Sequence, residues 1–224
     1  MQATLFPISP IKRLISYLVP VTIMRKKGTC HPYLEFIYYR GQWQLATEDA
    51  LYSDGYRYAP FRLAFKKIPK QRLAALNSCL VLGAGLGSIV QILSHKYKTK
   101  ARFDLVEKDD KVLGWAMELL AHGMANEVRP FCADAHEFVQ ESGGRKYELI
   151  CIDIFIGREV PAIFTETAFL RQTGDMLHPG GYWIMNYIEN DAREAEKFLA
   201  AARQVFPTVS VLTKERNKIL IARV

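Results

Sequence analysis

The sequence predicts an α/β fold: a mostly parallel sheet covered by helices and closed by an antiparallel C-terminal hairpin, preceded by a small antiparallel β subdomain. Beyond residue 69, short apolar runs alternate with longer amphipathic stretches, the pattern of buried parallel strands and their covering helices. The last two runs are separated only by the charged segment KERN, whereas a parallel crossover needs about a dozen residues, so they must pair as a hairpin. The chain from residue 14 to about 47 is instead rich in β-branched and aromatic residues and carries a turn at Arg40-Gly41.

Taken in order, SYLVPVTIM, YLEFIYY and QWQLA read as a small antiparallel sheet or a pair of hairpins. The segment ALYSDGYRYAPFRLAFKKIPK follows, with turn residues and then a short apolar stretch that reads as a linker helix. The division falls between an N-terminal hairpin subdomain, residues 1–58, and a larger domain, residues 59–224. Its strands are CLVLG, FDLVE, VRPFC, LICID, YWIMNY, VSVLT and KILIARV. Between them, SIVQILSHKY, DKVLGWAMELLAHG and DAREAEKFLAAARQVF place apolar residues every three or four positions, as amphipathic helices do.

Composition narrows the function classes. With 224 residues, 50% of them hydrophobic, the chain is long enough to bury a core, which excludes fibrous and disordered readings. The net charge of +7 is spread over clusters such as Arg25-Lys26-Lys27 and Lys96-Lys98-Lys100-Arg102. None is interleaved with aromatics as a single-strand platform requires, so nucleic acid is not an expected partner. The apolar stretch from Ile11 to Met24 is broken by Lys12, Arg13 and Pro20, which argues against a membrane span or a secretory leader and places the protein in the cytoplasm. Cys30, Cys79, Cys132 and Cys151 lack metal spacing, and three of them sit in strand-like runs where a thiol acts as a small buried hydrophobe. The five histidines share no metal spacing either, so no metal site is expected.

The sharpest motif is VLGAGLGS, a strand running through Gly83, Gly85 and Gly87 into a helix. Glycines there allow a sharp turn and close approach to a ligand, and the helix N-terminus offers unpaired N–H groups. The spacing is G-x-G-x-G, with Ser88 where a dinucleotide binder has its third glycine, which argues against a hydride-transfer enzyme without excluding one. Glu107 ends the next strand, where an acid can accept from both ribose hydroxyls; Asp134-Ala135 follows the third strand and Asp153 ends the fourth. Glycines or acids at four successive strand ends fit a nucleotide site better than surface decoration.

VLGAGLGS, LVEKD, CADAHEF and YELICID resemble the successive motifs of the class I S-adenosylmethionine-dependent methyltransferases, with their Rossmann-like fold, and more narrowly the spermidine synthase family. GQWQLATEDALYSDGYRYAPF and VPAIFTETAFL followed by LHPGG extend that resemblance over roughly residues 30 to 187. The resemblance implies that Gly83, Ala84, Gly85, Leu86 and Gly87 cradle the methionine part of the cofactor, that Glu107 with Lys108 holds the ribose, and that Asp134 and Ala135 meet the adenine. It further implies that Asp153 accepts the proton of the attacking nucleophile, that Gln44 contacts the cofactor, and that Asp49 and Tyr52 face the substrate. Independently, the aromatic segment with Tyr52, Tyr56, Tyr58 and Phe61 is expected over the cofactor mouth, where Tyr58 and the acid Asp54 are substrate candidates. A homodimer is implied in the same way.

Two departures decide between reactions. The family's glycine loop resembles G-G-G-D-G-G, with an acid that favours decarboxylated S-adenosylmethionine, and this chain has Leu86 there. A second acid three residues after the first helps hold a polyamine, and this chain has Ile156 there. Losing both charge-assisted partners, each worth about 1.5–3 kcal/mol, should cripple polyamine chemistry. The expected activity is therefore methyl transfer from S-adenosylmethionine to a small-molecule acceptor. An aminopropyltransferase of altered selectivity and a non-catalytic adenosyl-nucleotide-binding module are the alternatives.

Overall fold

The computed structural model describes residues 8–30, 32–47, 51–121 and 125–224. The first element among the described residues is not a strand but helix α1, Pro10–Ile15: Ser9 Oγ accepts the Lys12 N–H at 3.3 Å, and Pro10 supplies a helical φ at the first position. The expected strand from residue 14 starts only after Pro20. Strands β1 (Val21–Lys26), β2 (Leu34–Tyr39), β3 (Gln42–Ala46) and β4 (Leu51–Ser53) form a four-stranded antiparallel sheet in that order. The turn between β2 and β3 has positive φ at both Arg40 (48°) and Gly41 (77°), the twist that a tight hairpin needs.

Helices α2 (Ala59–Phe65) and α3 (Lys70–Ala74) follow a single helical turn at Gly55–Arg57. The segment expected to be a linker helix is core: Phe61 and Phe65 are fully buried, worth about 2–3 kcal/mol each in transfer free energy. Next come β5 (Ser78–Leu82), α4 (Ser88–Ile92), β6 (Arg102–Glu107), α5 (Asp110–Ala121), β7 (Val128–Cys132), α6 (Ala135–Gln140) and β8 (Tyr147–Ile152). The chain ends with α7 (Thr167–Asp175), β9 (Leu177–Ile188), α8 (Ala192–Val205), β10 (Thr208–Lys214) and β11 (Asn217–Arg223).

These seven strands form one sheet in the order β10-β11-β9-β8-β5-β6-β7, with β11 antiparallel to both of its neighbours, β10 and β9, and the remaining pairs parallel. Both faces are covered, so β5 is buried at every position. Cys79 and Val81 join the core under α2 and α4, while Leu80 and Leu82 join the one under α6, α7 and α8. On the second face Trp183 is fully buried, its ring 4.9 Å from Phe206 and its indole N–H donating to Thr173 Oγ1 at 3.0 Å. Buried Asp104 accepts a two-pronged pair of bonds from Arg129 at 2.7 and 2.6 Å and another from the Tyr147 hydroxyl at 2.7 Å, so its charge is matched on three sides. Cys79 and Cys151 are buried, but Cys132 is exposed at the end of β7, contrary to the reading of it as a core thiol. Among the described residues, no helix is long and apolar enough to cross a membrane.

The order places β6 on one side of β5 and β8 on the other. Successive strands are added on one side of β5 up to β7 and then on its other side from β8, and that reversal of strand order opens a crevice at the carboxyl ends of the strands.

Candidate active site

A cleft of about 580 Å³ lies over those strand ends, lined among others by Gly83, Gly85, Glu107, Asp134 and Asp153. Gly83 has φ +87°, and a β-carbon there would sit 2.3 Å from the Asp153 carbonyl oxygen. Gly85, at φ +50°, passes under the small sheet, where a β-carbon would lie 3.2 Å from the Tyr52 carbonyl. Gly87 caps α4 in the left-handed region and faces α5, with Leu120 2.8 Å from where its β-carbon would be, so its role is packing rather than ligand contact. Leu86 also departs from its expected place. Its side chain is fully buried beside Leu34, Phe36, Leu45 and Val112, because the loop turns it toward the small sheet and away from the cleft. Ala84 faces the acid of the next strand, donating its N–H to Glu107 Oε2 at 3.1 Å.

Glu107 gathers four backbone donors: Ala84 and Gly85 at Oε2 (3.1 and 3.3 Å), Lys108 and Asp109 at Oε1 (2.9 and 3.1 Å). Burial raises its pKa, and these four N–H groups oppose the rise. Asp134 caps α6 through the His136 N–H at 2.8 Å, and its other oxygen pairs with Lys108 Nζ at 3.1 Å. Burial pushes that carboxyl up, but the His136 N–H and the Lys108 ammonium outweigh it and the net shift is downward. Ala135, Ile154, Pro161, Ile163 and Phe164 give this end of the cleft an apolar wall.

Asp153 closes the row. Asn186 Nδ2 donates to its Oδ1 at 3.0 Å and the Tyr58 hydroxyl donates at 3.2 Å, while burial raises the carboxyl to about 7 against both bonds. The same burial, together with the Asp153 charge, pushes the Tyr58 phenol well above its usual range. Tyr58 and Asn186 line a second cavity of about 460 Å³ that also takes in Asp54. Tyr52 and Phe155 border both cavities and separate them. The Tyr52 hydroxyl accepts the Gly157 N–H at 2.8 Å, tying β4 to the loop after β8. Asp54 is held by Gln44 Nε2 at 2.7 Å and Arg57 at 3.5 Å, so Gln44 orients this acid and does not line the cofactor cleft. Asp49 lies outside the described residues.

Sequence reasoning missed several residues. Asn186 is 1% exposed in the otherwise apolar YWIMNY, and a lone carboxamide in a buried strand was the available signal. Ser53 and Ser88 share a hydrogen bond of 2.6 Å, and Ser53 Oγ accepts the Leu86 N–H at 3.1 Å, clamping the small sheet to the glycine loop. Cys30 reaches the cleft edge from the loop before β2, which no local pattern announces. Of the aromatics of ALYSDGYRYAPF, Tyr52 lines both cavities, Tyr58 lines the second, Tyr56 is exposed, and Phe61 belongs to the core.

Two substitutions probe this geometry. Glu107→Ala removes an acceptor shared by four donors, and a fall of about 10- to 100-fold in S-adenosylmethionine affinity is expected by calorimetry, the equivalent of about 1.5–3 kcal/mol; unchanged affinity would remove Glu107 from the ligand site. Tyr52→Phe should cost about 1 kcal/mol in chemical denaturation and speed hydrogen exchange at the Gly157 amide.

The same architecture recurs in solved structures. A probable spermidine synthase from Corynebacterium glutamicum superposes with a TM-score of 0.70 at 21% identity, covering 92% of this chain and 80% of that one. Human methyltransferase-like protein 13, solved in complex with SAH, superposes with a TM-score of 0.63 at 25% identity, covering 75% of this chain and 81% of that one. The fold is that of the class I methyltransferases. Among curated proteins, the eEF1A lysine and N-terminal methyltransferase of Mus musculus is 26% identical over 172 residues, 72% of this chain and 24% of that protein. The polyamine aminopropyltransferase of Vibrio vulnificus (strain CMCP6) is 28% identical over 109 residues, 48% of this chain and 36% of that protein. The chain thus spans about a quarter of the methyltransferase relative's length and about a third of the aminopropyltransferase's. No protein-family model matches it.

Proposed function

We propose that the chain is an S-adenosylmethionine-dependent methyltransferase whose acceptor is held beside Asp153. The observation that carries this reading is the meeting of two cavities at one buried carboxylate: Asp153 lines the strand-end cleft, and its two hydrogen-bond donors line the second cavity. The cleft fits the cofactor by the chemistry of its donors. Glu107 suits a ribose diol, the apolar wall around Ala135 and Phe164 suits a planar base, and the bare backbone at Gly83 and Gly85 admits the methionine part. When bound, S-adenosylmethionine supplies an activated methyl group. The protein's own task is to align a nucleophile and remove its proton. Asp153 does the second, its raised pKa matched to a base working near neutral pH.

Methyl transfer is favoured over aminopropyl transfer because Ile156 is an exposed, uncharged lining residue at the place where the polyamine enzymes that the sequence resembles carry a second acid. Of the acids that line the second cavity among the described residues, Asp54 is already paired with Arg57, and Glu215 stands at the outer mouth between Lys214 and Arg216. The eEF1A methyltransferases among the relatives support the same choice, while the Vibrio aminopropyltransferase supports the other. Leu86, turned away from the cleft, does not distinguish the two cofactors. A homodimer and a cytoplasmic location belong to the proposal.

Calorimetric titration with S-adenosylmethionine, its decarboxylated form and NAD tests the reading. Tightest binding of the carboxylated form is the expected result. Preference for the decarboxylated form would restore aminopropyl transfer, and binding of NAD alone would end both.

A further inference from the structure

The second cavity carries a charge pattern that the transfer reaction does not require. Its outer wall is the turn between β10 and β11, where Lys214, Glu215 and Arg216 line the mouth, and Arg158 lines it from the loop after β8. The turn is a two-residue connection: Lys214 pairs with Asn217 in the ladder, and Glu215 occupies the left-handed region at φ +55°. Such a tight hairpin fixes the side chains on it to a rigid sheet edge. Arg216 is steadied further, with Nη2 donating to Asn190 Oδ1 at 2.7 Å and Nε to the Glu189 carbonyl at 3.2 Å. Both acceptors are uncharged, so they orient the guanidinium without cancelling its charge. The Glu189 carboxylate is taken by Lys218 at 2.9 Å.

Deeper in, Asp54 is matched by Arg57 at 3.5 Å, and Asp153 is the base. Among the described residues of the hairpin, two cations at the mouth, Lys214 and Arg216, therefore flank one acid, Glu215. A polycationic acceptor would meet like charge at this rim, and an anion would meet opposite charge, including a planar guanidinium suited to two-pronged binding of a carboxylate or phosphate.

We propose that the second cavity selects an acceptor bearing a carboxylate or phosphate beside its nucleophile, gripped by Lys214 and Arg216 while the nucleophile reaches Asp153. This rests on the reading of the second cavity as the acceptor site and gives it a substrate class opposite in charge to a polyamine. The hairpin is the specificity element, and the strand-end cleft takes no part in it.

The test is calorimetry on protein loaded with S-adenosylhomocysteine, using three small primary amines as probes: glycyl-aspartate, phosphoethanolamine and putrescine. At least one anionic amine should bind ten-fold or more tighter than putrescine, and which one does so separates carboxylate from phosphate recognition. In the double variant Lys214→Glu, Arg216→Glu that margin should vanish, while affinity for S-adenosylhomocysteine, which reports an intact fold, stays unchanged. Putrescine binding as tightly as the anionic amines, absence of binding by all three, or a margin that survives the double variant would overturn the proposal. Failure of S-adenosylhomocysteine to bind would instead strike the cofactor reading, and the same three titrations on the unloaded protein would still decide the charge preference.

Discussion

Replacing Asp153 with Asn is expected to lower methyl transfer by about 10²- to 10⁴-fold while S-adenosylmethionine affinity stays within a few-fold of the original. The carboxylate is buried, accepts from Tyr58 and Asn186, and is raised to about 7 by its burial. Asn preserves the shape and loses the basicity, so kcat should fall without a matching change in binding. Only the ionised form can take a proton, and the wild-type rate should accordingly climb with pH and level off above about 7.

The same displacement sets a stability trend. The folded chain keeps this carboxyl protonated up to about 7, whereas an unfolded aspartate is ionised above about 4. Between those values the unfolded chain binds fewer protons, so stability attributable to Asp153 is present in full below about pH 4 and is lost as pH rises to about 7. Asp153→Asn has no proton to lose and should be the more stable protein at pH 8, by about 1 kcal/mol or more, read from thermal or denaturant midpoints. A variant less stable than wild type at pH 8 would mean that the site welcomes the charge, and the role as a base near neutrality would fall.

Gly83→Ala is expected to abolish cofactor binding and to cost about 3 kcal/mol or more of stability. The residue sits at φ +87°, where a side chain alone costs about 1–2 kcal/mol, and its β-carbon would stand 2.3 Å from the carbonyl oxygen and 2.8 Å from the carbonyl carbon of Asp153. Neither neighbour can yield cheaply. Gly83 is tied to β6 by its N–H to the Val106 carbonyl at 3.0 Å, and Asp153 to β5 by its N–H to the Leu82 carbonyl at 2.8 Å. Relief requires prising β5 from β8 at the point where the cleft opens, which displaces Asp153 as well as the loop. Gly114→Ala is the control: it lies in α5 with nothing within 4 Å of the new carbon, and it should stabilise the chain by about 0.5–1 kcal/mol. Equal behaviour of the two variants would show that the Gly83 loop can relax, and the account of its rigidity would fail.

Much of this site could be read before folding because its parts are local. A parallel strand buried on both faces must be apolar along its length, so CLVLG, FDLVE and LICID announce themselves, and the residues at or just past each strand's carboxyl end are fixed at the crevice by chain direction alone. Gly83, Glu107, Asp134 and Asp153 follow from that rule. The KERN turn forced the antiparallel end of the sheet for an equally local reason, since two residues between paired strands leave no other path. Helix α1 escaped because Ser9 and Pro10 are a start signal set against a β-rich composition, and the cap outweighed the propensity.

What local sequence does not contain is the facing of one element toward another. Whether Leu86 turns to the cleft or to the small sheet depends on Leu34, Phe36 and Leu45 arriving from a different part of the chain to bury it. Asn186 is silent in its strand until Asp153 and Tyr58 come within hydrogen-bond reach, and Gln44 serves Asp54 only because β3 lies beside β4. The sequence by itself thus determined the parallel sheet, its antiparallel end and the acids and glycines at the strand ends, all of which rest on periodicity and chain direction. The tertiary structure alone decided that Asp153 is buried enough to hold its carboxyl up at about 7, that two cavities meet at it, and that a cationic hairpin borders the second, because burial and pairing across the fold arise only when distant segments exclude water together.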